Sequence, residues 1–129
     1  MSMRSILLVD DQPHQRRMVS VQLERAGLRV EEANNGHEAL AWLADDEFDV
    51  VVTDVDMPSM NGRELCTAIA ERFGSEGPLL LVLTGLPEDE CAGWVSALPQ
   101  AELFDKPVSV RRLLARIRDH LGDKPEEDK

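Results

Sequence analysis

Four short strand-like segments of the chain, three of them mainly apolar runs, are followed by polar side chains that can take part in phosphate or metal chemistry. In chain order, the segments and the residues after them are 6–9 with Asp10 and Asp11, 50–53 with Asp54, 79–83 with Thr84, and 102–104 with Lys106. Carboxylates, a hydroxyl and an ammonium group are together suited to a site that holds a divalent cation beside a phosphoryl group.

The chemistry expected of such a cluster centres on Asp54. Three carboxylates close together repel one another and tolerate the crowding best with a cation between them. Carboxylate and carbonyl oxygens with retained water are the ligands of Mg²⁺, which also seeks a phosphate ligand. Mg²⁺ and the ammonium of Lys106 are expected to lower the pKa of Asp54 and keep it an available nucleophile. Thr84 can donate a hydrogen bond to a phosphoryl oxygen, and Gly85 leaves room for that group to approach.

The elements that must position these residues alternate regularly along the chain. Strands are predicted at 6–9, 28–33, 50–53, 79–83 and 102–104, and helices at 13–26, around 39–43, at 63–73, around 88–98 and at 110–121. Alternating βα units imply a doubly wound α/β fold, with a five-stranded parallel sheet and helices on both faces. Ligands of such sheets bind beyond the carboxyl ends of the strands, which is where the polar residues lie.

Size and charge limit the possible partners. The chain has 129 residues and a net charge of −11, which fits one domain. An acidic chain repels phosphate backbones and anionic lipid, so neither nucleic acid nor a membrane surface is expected as a partner. Cys66 and Cys91 lack the spacing of a zinc site or a disulfide framework. The N-terminal apolar run is too short for a signal peptide or a membrane span, which predicts a cytoplasmic protein.

The ordered motifs resemble those of response-regulator receiver domains, the phosphoacceptor modules of two-component signalling. The matching features are LLVDD at 7–11, the AxNG turn of Ala33, Asn35 and Gly36, DxxMPxMxG at 54–62, Thr84-Gly85 and Lys106-Pro107. The resemblance covers about residues 4–121, so we predict a receiver domain over 1–122 and a charged, disordered tail over 123–129. It implies a flavodoxin-like sheet with strand order 2-1-3-4-5.

The resemblance also implies a role for each residue of the cluster. Asp54 becomes the phosphoacceptor. Mg²⁺ is expected on Asp11, Asp54 and the backbone carbonyl of Asp56, with Asp10 acting mainly through water. Thr84 becomes the switch hydroxyl and Lys106 the partner of the phosphoryl group, and the Lys106-Pro107 peptide bond is expected to be cis.

Two positions depart from the family pattern. Leu103 stands three residues before the lysine, where the family usually has Tyr or Phe. Phe104 is expected on the opposite face of the strand, in the core, so a weaker or different aromatic readout is predicted. Asp56 occupies a variable position that influences how fast the acyl phosphate hydrolyses, and the direction of its effect stays open.

The function implied is phosphorylation of Asp54 by a histidine kinase or phosphotransfer protein, without enzymatic turnover. Phosphorylation is then expected to switch a protein-interaction face made by helix 4, strand 5 and helix 5. Two alternative functions are compatible with parts of this pattern. Asp54 and Asp56 resemble the DxD nucleophile of haloacid-dehalogenase-like phosphatases, although that family places its further acidic ligands late in a longer chain. The second alternative is a receiver-like binding module that never takes phosphate.

Overall fold

The computed structural model describes residues 4–85 and 88–122, and of residues 88–90 only the backbone. The predicted tail at 123–129 lies outside the described residues. The strands are β1 (Ser5–Val9), β2 (Arg29–Ala33), β3 (Val50–Asp54), β4 (Leu79–Thr84) and β5 (Ala101–Asp105). The helices are α1 (Pro13–Arg25), α2 (Gly36–Asp45), α3 (Gly62–Phe73), α4 (Glu88–Ser96) and α5 (Val110–Leu121).

The five strands form one parallel sheet in the order β2-β1-β3-β4-β5. The predicted fold class and strand order are confirmed. Asp54 and Thr84 are the last residues of β3 and β4, whereas the sequence placed them just after the strands. Each strand end stays in the ladder, because Val55 N donates to Leu83 O at 3.1 Å and Lys106 N donates to Thr84 O at 2.8 Å.

Local sequence explains where several helices begin. Pro13 occupies the first turn of α1, where its missing N–H leaves no helical bond unmade. Asn35 caps α2 by accepting a hydrogen bond from Glu38 N at 2.9 Å. Asn61 and Glu64 form a reciprocal capping box at the start of α3. The helix starts at the carboxyl edge of the sheet are therefore encoded close to the residues of the predicted site.

The sheet buries an apolar core on each face. One core contains residues of α2, α3 and α4 packed on the sheet, among them Leu43, Ile69 and Val95; we call this side the α2–α3–α4 face. The other contains Leu23 of α1 and Ile117 of α5 and is called the α1–α5 face. Central strands covered on both sides are continuously apolar, as the sequence of β3 and β4 is. No helix among the described residues is long and apolar enough to cross a bilayer.

Candidate functional site

Three carboxyl groups meet at the carboxyl edge of the central strands. Asp10 and Asp11 follow β1, and Asp54 ends the adjacent strand β3. One carboxylate oxygen from each lies within 4.8 Å of the other two. Asp54 is 2% exposed and Asp10 is 7% exposed, and Asp11 is half-buried. The structure therefore brings together the three acids that the sequence placed at one site.

Lys106 reaches this cluster from the end of β5. Its Nζ atom lies 2.6 Å from Asp54 Oδ1, and its side chain is 32% exposed. Asp54 Oδ1 is nevertheless buried without a hydrogen-bond partner, so the contact is an ion pair that lacks good hydrogen-bond geometry. The Lys106-Pro107 peptide bond is cis.

The pKa of Asp54 departs from the sequence-based expectation. Burial raises the pKa of this carboxyl from its usual 3.8 to about 6, Lys106 opposes the rise, and the nearby carboxyl of Asp10 adds to it. The prediction of a lowered pKa invoked two cations, and with Lys106 alone desolvation outweighs the attraction. Asp54 is consequently a carboxylate whose charge is only partly compensated by the protein.

These residues fit a divalent cation. Asp54 Oδ1 is a buried anionic oxygen paired with the ammonium of Lys106 without good hydrogen-bond geometry, and the carboxylates of Asp10 and Asp11 lie within reach of the same point. Hard oxygen donors are the ligands that Mg²⁺ prefers. The side chain of Asp56 is exposed, so this residue can contribute to the site through its backbone.

A close turn after Asp54 shapes the rim of the site. Gly62 N donates to Val55 O at 2.9 Å, which folds the β3–α3 loop back on the strand end. A Cβ atom at Gly62 would lie 2.2 Å from Asp54 O and 2.8 Å from Val55 Cα. Glycine is required there because backbone atoms occupy the space of a side chain. The glycine of the DxxMPxMxG motif therefore has a steric role beside the acceptor.

Thr84 lies at the end of β4, beside the strand that carries Asp54, and is 3% exposed. The thiol of Cys91 in α4 donates to Thr84 Oγ1 at a sulfur–oxygen distance of 3.8 Å. Gly85 is exposed, and a Cβ atom there would meet nothing within 4 Å. The sequence analysis did not predict the contact with Cys91, because the spacing of this cysteine excluded only a zinc site or a disulfide framework.

Leu103 and Phe104 occupy successive positions of β5 and pack on opposite faces of the sheet. Leu103 is paired with Val82 and packs against the core of the α2–α3–α4 face. Phe104 packs against the core of the α1–α5 face and is half-buried. The predicted separation of the two side chains is observed, and the side chain on the α2–α3–α4 face is aliphatic.

Sequence reasoning also missed Arg16 of α1. Its Nη1 atom donates to the backbone oxygen of Asp10 at 2.6 Å, so it contacts the acid pair directly. No sequence pattern marks this role, because a backbone oxygen as acceptor leaves no trace in the residue types.

Comparison with known proteins agrees with this geometry. The family model described as response regulator receiver domain matches residues 6–118. The chain is 35% identical to the probable cyclic di-GMP phosphodiesterase of Vibrio cholerae, over 99% of this chain and 29% of that protein. It is 37% identical to the response regulator MprA of Mycobacterium avium, over 95% of this chain and 54% of that protein. The chain thus spans about half or less of these curated relatives.

The chain also resembles a solved structure of similar size. The chemotaxis protein CheY4 of Vibrio cholerae superposes with a TM-score of 0.83 at 34% identity, covering 92% of this chain and 98% of that one. These matches do not favour the haloacid-dehalogenase-like alternative. Receiver domains are in general signalling modules that bind Mg²⁺ in an acidic pocket and interact with histidine kinases and downstream effectors. The chain belongs to the response regulator receiver domains of two-component systems.

Proposed function

We propose that Asp54 accepts a phosphoryl group from a histidine kinase or phosphotransfer protein, with Mg²⁺ held by Asp11, Asp54 and the backbone carbonyl of Asp56 and reached by Asp10 through water. The observation that carries this proposal is the state of Asp54. It is a buried carboxylate placed between an acid pair and the ammonium of Lys106, with which it makes an ion pair of poor hydrogen-bond geometry.

The chemistry is a displacement at phosphorus. A carboxylate oxygen of Asp54 forms the new phosphorus–oxygen bond while the phosphorus–nitrogen bond to the donor imidazole breaks, and the electron pair leaves with the imidazole. With a pKa of about 6, Asp54 is mostly ionised at neutral pH and can act as the nucleophile. Mg²⁺, when bound, neutralises charge on the phosphoryl oxygens.

The residues around Asp54 stabilise the transferring group. The Lys106 ammonium, 2.6 Å from Asp54 Oδ1 in the free site, lies close enough to pair with a phosphoryl oxygen as charge develops there. Thr84 donates its hydroxyl to another phosphoryl oxygen. Gly85 has no side chain to obstruct that approach.

The output proposed is a change in the face made by α4, β5 and α5, read by a downstream protein. Two contacts support this choice of face. The hydroxyl oxygen of Thr84 accepts a hydrogen bond from the thiol of Cys91 in α4. The backbone oxygen of Thr84 accepts a hydrogen bond from Lys106 N, just after β5. A movement of Thr84 toward a phosphoryl group therefore acts on both elements. Leu103 of β5 stands at the position of the aromatic relay and packs an aliphatic side chain against the core.

The test is stoichiometric phosphorylation by a small-molecule donor. The full chain is incubated with acetyl phosphate and Mg²⁺, and its intact mass is measured. We expect a gain of one phosphoryl group that is lost in Asp54→Asn. Asp45→Asn is the matched control, because Asp45 is an exposed carboxylate at the far end of α2, and it should be phosphorylated like the wild type.

Three results would contradict the proposal. Modification of Asp54→Asn to the wild-type extent would place the acceptor elsewhere. Release of many equivalents of product from a model phosphate ester would indicate a phosphatase. No gain in mass, under conditions that modify a control receiver, would indicate a binding module that does not take phosphate.

A further inference from the structure

Arg16 joins the acid pair to the end of β2 through a set of hydrogen bonds that we call the Arg16 fork. Nη1 donates to the backbone oxygen of Asp10 at 2.6 Å and to Asn34 Oδ1 at 3.1 Å. Nε donates to Glu32 Oε1 at 2.9 Å. One guanidinium group therefore holds three acceptors from two strand ends, which a single ammonium does not do with the same geometry.

The fork determines the orientation of the peptide that links the two acids. A peptide unit is planar, so fixing the carbonyl of Asp10 also fixes the N–H of Asp11 and the direction in which its Cα atom leaves. The other groups of Asp10 are held as well. Its N–H donates to Ala33 O at 3.1 Å, and its Oδ1 accepts from Gln12 N at 2.9 Å. Without Arg16, the backbone carbonyl of Asp10 loses its hydrogen bond from Nη1, and the orientation of the Asp10–Asp11 peptide is no longer fixed at that end.

The fork is itself rigid and charged. The Arg16 side chain is 16% exposed, so its rotamers are restricted by packing. Burial opposes the charge on Glu32, but hydrogen bonds from Arg16 and Arg17 outweigh it and lower the pKa of that carboxyl. Glu32 stays ionised at neutral pH and anchors the guanidinium.

We infer that Arg16 is a positioning residue for Mg²⁺, which it never touches, and that it sets the affinity by holding the Asp10–Asp11 peptide in the geometry that binds the cation. This inference rests on the proposed function, because it assumes that the acid cluster binds Mg²⁺. Groups that orient metal ligands from outside the coordination shell commonly change affinity by about tenfold or more.

The sign of the effect separates positioning from simple electrostatics. Removing a cationic side chain near a bound dication reduces repulsion, so the charge effect alone strengthens Mg²⁺ binding. Loss of the Arg16 fork, by contrast, weakens Mg²⁺ binding, because the Asp10–Asp11 peptide is then no longer held. Arg17 provides the matched control, since it is the next residue on α1 and also bonds Glu32, with Nη1 2.8 Å from Oε2, yet it is 61% exposed.

The experiment is calorimetric titration of the full chain with MgCl₂ at constant pH and ionic strength. We expect Arg16→Ala to weaken Mg²⁺ binding by about tenfold, whereas Arg17→Ala stays within about twofold of the wild type or binds more tightly. Alanine favours helix, so α1 is preserved in both variants. Arg16→Lys keeps the charge and loses the fork, and we expect it to be several times weaker than the wild type.

A second readout separates positioning from general damage to the fold. The rate of phosphorylation by acetyl phosphate is measured against Mg²⁺ concentration. We expect Arg16→Ala to need more Mg²⁺ for half-maximal rate and to reach close to the wild-type rate at saturation. A damaged site would lose the saturated rate as well.

The outcomes distinguish the two proposals. If the wild type binds no Mg²⁺, the proposed function fails at its first step. If the wild type binds Mg²⁺ and Arg16→Ala binds as tightly as Arg17→Ala, the inference about Arg16 is wrong and the proposed function stands. If Arg16→Ala does not fold, Arg16→Lys decides the question, and wild-type affinity in that variant overturns the inference.

Discussion

The two ends of the sheet place a carboxylate beside a cation in opposite ways. At the carboxyl edge, Asp54 is 2% exposed and Lys106 lies 2.6 Å from it without a good hydrogen bond. At the amino edge, Arg29 Nη2 donates to Asp46 Oδ2 at 2.7 Å, and Asp49 Oδ2 accepts from a backbone N–H at 3.0 Å. The acids at the amino edge are thus partnered and solvated, whereas the acid at the carboxyl edge is buried and incompletely partnered.

The pKa values of the two ends move in opposite directions for this reason. The hydrogen bond from Arg29 lowers the pKa of Asp46, with burial opposing. Burial raises the pKa of Asp54 to about 6 against the pull of Lys106. A groove of about 1060 Å³ lies at the amino edge, lined by Asp46, Asp49 and Phe48 among others. This groove lies at the opposite end of the sheet from the acid cluster and from the incompletely compensated carboxylate of Asp54.

The largest expected effect is on the rate of Asp54 phosphorylation, when the cationic side chain at the carboxyl edge is compared with the one at the amino edge. Lys106→Met should slow phosphorylation of Asp54 by between about a hundredfold and a thousandfold at saturating Mg²⁺, because the ammonium neutralises charge on the transferring group. Arg29→Met should leave the rate unchanged. The measurement is the rate of mass gain with acetyl phosphate. Equal rates in the two variants would abolish the proposed difference between the ends.

The next largest effect is expected on the free energy of unfolding when a glycine at each end of the sheet is replaced by alanine. Gly62→Ala places a Cβ atom 2.2 Å from Asp54 O, a backbone atom, and should lower the free energy of unfolding by about 2–3 kcal/mol. Gly77→Ala brings Cβ to 2.8 Å from Phe73 Cβ and should lower it by about 1 kcal/mol. Urea denaturation measures both. The comparison fails if the second substitution is the more destabilising.

The smallest effect concerns the stability carried by each acid. The pKa of Asp54 in the folded protein is about 6, above its ordinary 3.8, so ionisation of this group destabilises the fold. The penalty is complete above pH 6 and disappears as the pH falls toward 3.8. In chelator near pH 8, Asp54→Asn should therefore raise the free energy of unfolding.

Asp46 should behave with the opposite sign. Its pKa is lowered by Arg29, so its contribution is present above the ordinary pKa of an aspartate and is lost as the pH falls through the lowered value. Asp46→Asn should lower the free energy of unfolding at neutral pH. Urea denaturation across the pH range, with and without Mg²⁺, checks both signs. A stabilising effect of Asp54→Asn that persists unchanged in excess Mg²⁺ would argue against cation binding at Asp54.

The sequence predicted the fold well because its signals are local. Apolar runs of β3 and β4 indicate strands covered on both sides, and Pro13 lies in the first turn of α1, where the sequence predicted a helix to begin. It also placed Asp10, Asp54 and Lys106 at one edge, since parallel strands bring their carboxyl ends together. These predictions needed only the order of elements along the chain.

What the sequence could not provide depends on distances between side chains and backbone. The raised pKa of Asp54 follows from how fully it is buried relative to its contact with Lys106. The bond from Arg16 to a carbonyl and the contact of Cys91 with Thr84 depend on where each helix packs on the sheet. Periodicity identifies the buried face of a helix, but it does not identify which atom that face touches.

The Arg16 fork has a consequence for the order in which the site is made. Its four participants, Asp10, Arg16, Glu32 and Asn34, all belong to the first βαβ segment. During synthesis, the hydrogen bonds from Arg16 to Asp10, Glu32 and Asn34 can form in the nascent chain once Asn34 has been added. Lys106 is among the last residues of the domain to emerge, and until it does Asp54 has no ammonium beside it. The order of translation therefore leaves the ion pair of Asp54 and Lys106 unformed until the domain is almost finished.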